Sequence, residues 1–571
     1  MKKFVKLGLA LASMALVLTS CDCFKKYAKK ADTVAVSCSP TVLSLKGDVV
    51  TATYTVEFPA KVFPKKGVAK ITPVLKYEGG EIVGTPKYIQ GQSVKDNYQV
   101  ISYTDGGSFT HTVSFPYRPE AKLATLELRL EGKCCSKNCA DVEFTERPET
   151  YVLAEGVSTI QLLADDFARL VIAPDQFKRI TTETEEAKVM FLVNQSNVRN
   201  NQINSADIKA LQQFIKDNAG KERRTLSDLY TKAYASPEGP VALNNRLSKE
   251  RGKNTHNALS KKFKKDKMPI APTFDVDALG EDWDGFQQLV AASDIPEKDV
   301  ILQILQMYSD PVKRDQEIKN MSQVFSILKE KILPELRRSK LIMSVDIEGL
   351  SDDELRAAVN SDINSLKLEE MLYSATLFGD NATKERIYSA VTKKYPKCYR
   401  GWNNLGVVLA RQGKINDAKN AIAKAADLNS SSSEVANNLG VIALYEGNKA
   451  EAKKYLGSIN SADAKYNMGL VYLQEGNYEA AVKVLNGYNL AVAETCNGNL
   501  ANAKNILAKD NSAKACYLKA LIAAKEGNKA TMLSNLNAAV QQDRQYAQEA
   551  LTEIDFAPYF EETEFVAIVR K

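Results

Sequence analysis

Hydrophobic and polar residues alternate along the first part of the chain. In one run, five apolar residues (Val50, Ala52, Tyr54, Val56 and Phe58) are separated by Thr51, Thr53, Thr55 and Glu57. A period of two places one set of side chains in a core and the other in water, as in a half-buried β-strand. Similar runs occur at 109–115 and 126–130, and Gly-Gly turns at 79–80 and 106–107 separate strands within this region. The pattern predicts a β-sandwich-like domain over residues 36–150.

The pattern changes after about residue 185, where strand-like and helix-like segments follow one another. Residues 189–193 and 226–235 are predicted strands, and 340–347 is predicted to close the sheet. Ser205 can cap a helix whose apolar residues share one face, and 241–263 is a second predicted helix. We therefore predict an α/β domain over residues 151–350, with a helical insertion at about 280–338.

From about residue 352 the chain is helical, and its glycines recur at a regular spacing. Gly379, Gly413 and Gly447 are 34 residues apart, and glycines at 476, 498 and 527 follow at intervals of 29, 22 and 29. Each follows an apolar stretch, as expected of a residue that ends a helix with a positive φ. A period of this length is typical of a solenoid of helix pairs. We predict repeats over residues 351–550 and a C-terminal tail at 551–571.

The first complete repeat carries the strongest family signal. Trp402, Leu405, Gly406, Leu409 and Ala418 lie at offsets that resemble the tetratricopeptide (TPR) consensus. The resemblance covers roughly residues 360–545 and implies a superhelix whose concave face receives a peptide or another protein. The lysines of the carboxylate-clamp subset are missing, so capture of a peptide C-terminus is not expected. The side chains implied to line the concave face are Asn403, Val407, Asn437, Val441 and Tyr445.

The N-terminus combines lysines with a short apolar run. Lys2, Lys3 and Lys6 precede a segment too short to span a membrane, which ends in Leu-Thr-Ser-Cys at 18–21. This ending resembles the bacterial lipobox, which implies a signal peptide at 1–20 and a mature protein acylated on Cys21. Such a protein is held in the outer membrane by its lipid, with residues 21–35 as a basic tether facing the periplasm. An ordinary signal peptide with an accidental cysteine is the alternative.

Composition excludes most kinds of catalytic site. The chain has 571 residues, which predicts three or four domains, but its only histidines are His111 and His256. Multi-histidine metal centres and most histidine-based catalytic arrangements are therefore excluded, and the common phosphate-loop, nucleophile and zinc-protease motifs are missing. A formal net charge of +6 is too small to indicate a nucleic-acid partner. We predict a protein without enzymatic activity, metal or cofactor, and without nucleic-acid binding.

Nine cysteines in an exported chain favour disulfide bonds. Cys134, Cys135 and Cys139 cluster near the end of the predicted β-domain, which also contains Cys38. Disulfides among these four are predicted, and a four-thiolate metal site is the alternative, although the paired C-x-x-C spacing is missing. The cysteines expected to lie in the cores of helical repeats are Cys398, Cys496 and Cys516.

A strand, a glycine-containing loop and a helix in the middle region carry a further resemblance. Ala-Tyr-Ala-Ser-Pro-Glu-Gly at 233–239 is followed by Asn244 and by Leu-Ser-x-x-Arg ending at Arg251. This resembles the peptidoglycan-binding domain of the OmpA family, in which an aspartate and an arginine hold a diamino acid of the wall peptide. Arg251 and Asn244 match that family, Ser236 replaces the aspartate, and Glu238 could supply the anion. Loss of wall binding with retention of the fold is the alternative.

These signals together predict a multidomain chain with an N-terminal β-sandwich, a central α/β OmpA-like domain and a C-terminal α-solenoid. The helical insertion, which ends in Leu-Pro-Glu-Leu-Arg-Arg at 333–338, resembles insertions in OmpA-like proteins of fimbriae and outer-membrane assembly. The predicted function is a lipid-anchored tether to peptidoglycan that scaffolds a protein partner in envelope maintenance, secretion or fimbrial assembly. The alternatives are a purely protein-binding scaffold and, with less support, a hydrolase using an unrecognised pair of carboxylates.

Overall fold

The computed structural model describes residues 22–134, 144–165, 168–269, 271 and 273–570. The chain divides into two compact units, one formed by Met1–Pro174 with Lys384–Lys571 and the other by Asp175–Thr383. The predicted signal peptide and lipidation site Cys21, together with Cys135 and Cys139, lie outside the described residues. Within the described ranges, no helix has both the length and the apolar character needed to cross a membrane.

Two β-sheets form the N-terminal part of the first unit. One sheet contains β1, β2, β3, β8 and β11, and the other contains β4, β5, β6, β7, β9 and β10. Paired strands are antiparallel except β2 with β11 and β6 with β7. The elements are α1 (Lys25–Ala28), β1 (Ala35–Ser39), β2 (Leu43–Lys46), β3 (Val49–Phe58), β4 (Gly67–Tyr77), β5 (Gly80–Val83), β6 (Lys87–Gly91), β7 (Gln99–Ile101), β8 (Gly107–Pro116), β9 (Thr125–Cys134), β10 (Thr145–Glu155) and β11 (Val157–Ser158).

The alternation predicted along β3 is confirmed by burial. Every second residue from Val50 to Phe58 is buried, and the residues between them are half-buried or exposed. Burial alternates in the same way along the neighbouring strand β8. His111 is half-buried and lies on the same face of β8 as Phe109. Its ring Nε2 lies 3.1 Å from the carbonyl oxygen of Thr85. A two-sheet core therefore accounts for the N-terminal period of two.

Part of the segment predicted to form a basic tether is packed into this domain, although Lys29 and Lys30 are exposed. Phe24 and Tyr27 are 1% and 0% exposed and belong to the core between the sheets. Cys23 forms a disulfide bond with Cys134, so the predicted pairing within the group of four was wrong for Cys134, and Cys38 is a free thiol. The lysines suggested a solvated linker, but two aromatic side chains three residues apart on one helical turn determine where the segment lies.

The second unit is built on a four-stranded sheet in the order β12-β15-β13-β14. Strands β13 and β14 are parallel, and β15 is antiparallel to both β12 and β13. Ser205 caps α3 as predicted, since its side chain accepts a hydrogen bond from the N–H of Ile208. The first elements are β12 (Ile180–Met190), α2 (Asn200–Ile203), α3 (Ala206–Asn218), β13 (Arg224–Ala235), α4 (Val241–Lys265) and β14 (Thr273–Glu281).

Short helices fill the predicted insertion between β14 and β15 and have their own apolar core, which includes Phe286, Ile301 and Leu328. The sequence analysis did not predict the edge strand β14, whose Asp275 and Asp277 interrupt its apolar pattern. The remaining elements of this unit are α5 (Trp283–Ala291), α6 (Lys298–Met307), α7 (Pro311–Asn320), α8 (Ser322–Lys331), α9 (Leu333–Leu336), β15 (Arg338–Glu348), α10 (Asp352–Ser361) and α11 (Leu368–Ser374).

Helix pairs form the C-terminal part of the first unit. Glycines at 413, 447, 476, 498 and 527 end the first helices of successive pairs with positive φ, as predicted, whereas Gly379 does not have a positive φ. The helices are α12 (Asn381–Lys394), α13 (Tyr399–Arg411), α14 (Ile415–Leu428), α15 (Ser433–Tyr445), α16 (Lys449–Leu456), α17 (Ala462–Gln474), α18 (Tyr478–Ala481), α19 (Gly487–Cys496), α20 (Leu500–Leu507), α21 (Ala513–Lys525), α22 (Lys529–Gln542), α23 (Gln545–Ala550) and α24 (Thr563–Val569).

The segment predicted to be a C-terminal tail closes the apolar end of the last repeat. Phe556 and Phe565 are fully buried, and the ring of Phe556 packs edge-on against Tyr517 of α21.

The carboxylate of Glu553 joins this C-terminal segment to the β-sandwich. Glu553 accepts a hydrogen bond from Thr159 Oγ1 at 3.0 Å and lies 3.2 Å from Lys122 Nζ. Burial raises the pKa of the Glu553 carboxyl, because its effect exceeds the attraction of Lys122.

The Glu553→Gln variant is expected to gain stability relative to the wild type as pH rises from 4 to 8. A carboxyl group whose pKa is raised by folding stabilises the protein below its unfolded pKa, and this contribution is lost as pH rises through the folded pKa. Glutamine does not titrate and retains an acceptor for Thr159. The difference in Tm, variant minus wild type, should therefore increase with pH in calorimetry. A difference that decreases with pH would contradict this assignment.

Candidate functional site

A segment that begins with a 3-10 turn at Ile160–Leu163 and continues without regular secondary structure lies against the helices of the repeats. We call this segment, residues 160–165 and 168–174, the strap. Residues 168–174 form neither helix nor strand, so their backbone N–H and C=O groups need partners from elsewhere. Asparagine side chains on the first helices of successive repeats supply those partners. In each case the side-chain Oδ1 accepts the N–H of one strap residue and Nδ2 donates to the carbonyl oxygen of the same residue.

Four asparagines make this two-bond contact, and we call them the asparagine ladder. The N–H···Oδ1 distances are 2.7–2.8 Å and the Nδ2···O distances are 2.7–3.1 Å. Each of the four side chains is at most 1% exposed. The strap runs in the opposite direction to the order of the repeats, and its last three ladder contacts fall on every second residue. The pairs are Asn404 with Ala173, Asn438 with Val171, Asn467 with Arg169, and Asn489 with Asp165.

Two further asparagines, Asn403 and Asn437, accept hydrogen bonds from ladder asparagines and fix the orientation of their side-chain amides. We call this set the second column. Asn438 Nδ2 also donates to Asn403 Oδ1, and Asn467 Nδ2 donates to Asn437 Oδ1, both at 2.9 Å. Asn403 Nδ2 in turn donates to the carbonyl oxygen of Val171 at 3.1 Å. The donor and acceptor ends of each central amide are therefore determined by its neighbours, and a flipped amide would place like groups together.

One strap side chain has a binding pocket of its own. The guanidinium of Arg169 lies 3.8 Å from the centroid of the Tyr466 ring. It donates to Asn486 Oδ1 at 2.7 Å and lies 3.5 Å from the carboxylate of Asp463. Tyr466 also extends the second column, because its hydroxyl group receives a hydrogen bond from Asn489 Nδ2 at 2.9 Å. The same tyrosine thus supports the ladder and the arginine.

The start of the strap is held by the β-sandwich and by the later repeats. Gln161 accepts the N–H of Gly47 at 2.9 Å and donates to the carbonyl oxygen of Gly47 at 3.1 Å. The hydroxyl group of Tyr478 donates to the Gln161 side chain at 2.8 Å. Asp165 forms an ion pair with Lys514. The start of the strap is therefore anchored both to the β-sandwich and to the later repeats.

The residues predicted for the concave face are distributed differently from the prediction. Asn403 and Asn437 contact the strap, so the face on which a partner was expected holds the chain's own backbone. Val407 and Val441 are fully buried and offer no surface, and Tyr445 is 37% exposed. Sequence reasoning missed two ladder residues that share a local pattern, an asparagine followed by Leu or Met and then Gly or Ala. These two residues are Asn467 and Asn489.

In the second unit, the residues predicted to bind the cell wall lie together at the C-terminal end of β13. Ser236 Oγ donates to Glu238 Oε1 at 2.6 Å, and Arg337 Nε donates to the same oxygen at 2.8 Å. Asn244 Nδ2 donates to Glu281 Oε1 at 2.8 Å. Arg337, which the sequence analysis did not propose as a site residue, therefore supplies the cation next to Glu238.

Arg251 has a different environment from the one predicted. Its side chain is 1% exposed and donates to the carbonyl oxygens of Leu192, Gln195 and Tyr234 at 3.3, 3.0 and 2.9 Å. Burial, together with the positive charge of Arg337, lowers the pKa of Arg251 to about 10. A ligand carboxylate would have to compete with these three carbonyl groups. In this structure Arg251 joins the loop that follows β12 to β13.

Metal ligands are not brought together in the described part of the chain, where no three His, Cys, Asp or Glu side chains form a group that could hold an ion. Cys516 is buried in α21, and Cys496 and Cys398 are partly buried. Burial raises the pKa of the Cys496 thiol to about 12, which keeps this thiol protonated at neutral pH. Cys516 and Cys496 are packing residues of the repeats, as predicted, and Cys398 lies at the start of α13.

Comparisons with known proteins concern the repeats. Residues 399–432 and 462–487 match the family model described as tetratricopeptide repeat. No curated protein matches the chain. Similar solved structures include a tetratricopeptide repeat protein from Parabacteroides merdae, at 15% identity over 34% of this chain and 88% of that one, with a TM-score of 0.29. YrrB, described as a TPR protein with an unusual peptide-binding site, is 16% identical over 32% and 88%, with a TM-score of 0.21. Yeast Tom70 is 11% identical over 57% and 77%, with a TM-score of 0.27. The family matches, on helices arranged in successive pairs, identify the C-terminal helices as tetratricopeptide repeats, which indicate a scaffold for protein–protein interaction.

Proposed function

We propose that this protein is a non-enzymatic scaffold of the bacterial outer envelope whose repeats bind extended polypeptide through its main chain. The observation that carries the proposal is the asparagine ladder, which pairs with both backbone groups of Asp165, Arg169, Val171 and Ala173. An asparagine amide offers the same donor and acceptor as a neighbouring β-strand. Main-chain hydrogen bonds of this kind give affinity without strict dependence on sequence.

In this proposal the strap is the resident occupant of the groove. A segment attached to its own binding site has an effective concentration in the millimolar range, so a weak partner in solution does not displace it. A partner gains access when the strap leaves the ladder or when the partner forms the stronger contacts. The strap therefore controls whether the repeats are open to another protein.

The test uses proline substitutions placed in or out of register with the ladder. Val171→Pro/Ala173→Pro removes two N–H groups that Asn438 and Asn404 accept. The control is Leu170→Pro/Ile172→Pro, since among the described strap residues these two do not donate to a ladder asparagine. A fluorescent peptide with the sequence of residues 163–175 is added to each full-length protein, and binding is measured by anisotropy.

The in-register variant is expected to bind the peptide, whereas the wild type and the control stay closed to it. Adding Asn438→Asp to the in-register variant should abolish binding, because the aspartate cannot donate to the peptide carbonyl. Hydrogen exchange of the repeats checks that each variant is folded. Failure of the folded in-register variant to bind would overturn the proposal.

The envelope location rests on the lipobox resemblance at Cys21. The disulfide between Cys23 and Cys134 supports this location, because such bonds form and persist outside the cytoplasm. Cys21→Ser is expected to release the protein from the membrane fraction and to prevent incorporation of labelled palmitate. Cys23 must be retained in this experiment, since its loss would remove the disulfide as well. Retention of label by Cys21→Ser would exclude Cys21 as the lipidated residue.

Contact with peptidoglycan through the second unit is the second candidate function, favoured by the cluster of Ser236, Glu238 and Arg337 at one loop. A carboxylate beside a guanidinium suits an amino-acid centre that carries both charges. The test is co-sedimentation with purified sacculi, comparing the wild type with Glu238→Gln. Arg251→Ala is a poor probe because it leaves three carbonyl groups without their donor. Absence of pelleting by the wild type favours the purely protein-binding scaffold.

A further inference from the structure

We infer that the groove has an arginine-specific position, the arginine pocket at the start of α17, and that its ligands are extended segments of the form Arg-x-x-x-Ala. This inference rests on the proposed function and concerns which polypeptides the ladder accepts. The pocket consists of Tyr466, Asp463 and Asn486, which surround Arg169 of the strap. The ladder contacts only the backbone of the bound segment, so any selection among sequences must come from side-chain contacts such as those of Arg169.

The three pocket groups match the planar guanidinium. Tyr466 presents its ring face, with the central carbon of the guanidinium 3.8 Å from the ring centroid. Asp463 and Asn486 approach the two terminal nitrogens of Arg169, at 3.5 and 2.7 Å. A lysine ammonium group lacks the plane and the separated donors, so it cannot satisfy the ring face and both oxygens together. The pocket therefore selects arginine over lysine.

The position four residues after the arginine selects for small size. Ala173 is only 1% exposed while both of its backbone groups are bonded to Asn404. A larger side chain there would need space that the enclosed position does not offer. Val171, between the two, has both backbone groups held by Asn438. Proline is excluded at all three positions because the ladder needs their N–H groups.

The specificity is tested with the same in-register proline variant and peptides of residues 163–175. Replacing Arg169 in the peptide by Ala should weaken binding at least tenfold, and replacing it by Lys should recover only part of that loss. Replacing Leu170 by Ala is the matched control, and we expect it to change the dissociation constant less than threefold. On the protein side, Asp463→Asn should reduce the preference for arginine over lysine.

The outcomes separate the two proposals. If the wild-type peptide binds and the Arg169→Ala peptide binds equally well, the arginine pocket is wrong while main-chain binding stands. If no peptide binds, the proposed function itself fails.

A second measurement does not depend on the proline variant. In the otherwise unchanged full chain, Arg169→Ala should accelerate hydrogen exchange at the amides of Val171 and Ala173, and Leu170→Ala should not; equal protection in both would overturn the inference.

Discussion

Replacing Asn438 by Asp is expected to lower the free energy of unfolding by about 3–5 kcal/mol at neutral pH, the range found when a buried charge is left without a partner. The two side chains have nearly the same shape, so packing is unchanged. In the wild type, Asn438 Nδ2 donates to the carbonyl oxygen of Val171 at 2.7 Å and to Asn403 Oδ1 at 2.9 Å. An aspartate oxygen at that place faces two acceptors, in a position that is fully buried.

The loss caused by Asn438→Asp should diminish as pH falls. Burial and the facing oxygens disfavour the carboxylate, so folding raises the pKa of the introduced aspartate. A group of this kind stabilises the folded state below its unfolded pKa and destabilises it as pH rises through the folded pKa. Protonation at low pH also restores one donor toward Val171 or Asn403. Urea unfolding followed by circular dichroism at pH 4 and pH 7.5 measures the difference.

Asn477→Asp is the matched control for this prediction. Asn477 is exposed and caps α18 by accepting the N–H of Ala480, a role that aspartate fills equally well. We expect its effect on stability to stay within about 0.5 kcal/mol, as for ordinary surface changes. If Asn438→Asp and Asn477→Asp unfold at the same urea concentration, the ladder does not stabilise the first unit.

Removing the disulfide with Cys23→Ser/Cys134→Ser is expected to destabilise the β-sandwich by up to about 4–5 kcal/mol, the value that loop closure predicts for a separation of 111 residues. The bond joins the segment that places Phe24 and Tyr27 in the core to the last residue of β9. Without it, the unfolded chain gains conformational freedom and this N-terminal segment can separate more easily from the sheets.

Thermal unfolding of the oxidised wild type, the double variant and Cys38→Ser measures this contribution. Cys38 is a free, half-buried thiol, so its replacement should lower stability by no more than about 1 kcal/mol. A reductant should shift the wild type toward the double variant and leave the double variant unchanged. If the oxidised wild type and the double variant have the same Tm, the disulfide does not stabilise this domain.

Regular elements were predictable from the sequence because their signals are local. Three examples are the alternation along β3, the serine cap of α3 and the spacing of Gly413 and Gly447. Each signal is contained in a single stretch of at most about one repeat. The strap has no such signal. The ladder asparagines that bind its backbone are 231 to 324 residues away. The partner of Cys134 was missed for the same reason, since Cys23 lies 111 residues earlier.

The candidate sites were predictable in residue type more than in role. Asn403 and Asn437 contact the strap, but an asparagine that holds backbone and one that is merely exposed look alike in a single sequence. Arg251 occupies the position expected from the family motif, while its burial follows from the carbonyl groups that surround it. Arg337 lies at the end of the insertion, about 100 residues after Glu238, and the resemblance assigned it no binding role, so only the fold brings it to Glu238.

The separation of the strap from its ladder also determines the order in which this protein can mature. During synthesis the strap emerges before its ladder, and the 209 residues of the second unit, Asp175–Thr383, follow before the first ladder asparagine is made. Until then the strap's backbone has only water or another protein as a partner. The backbone of the strap is therefore accessible to a chaperone on nascent chains and becomes inaccessible once the repeats have folded. Accessibility of the strap thus distinguishes incomplete chains from folded ones.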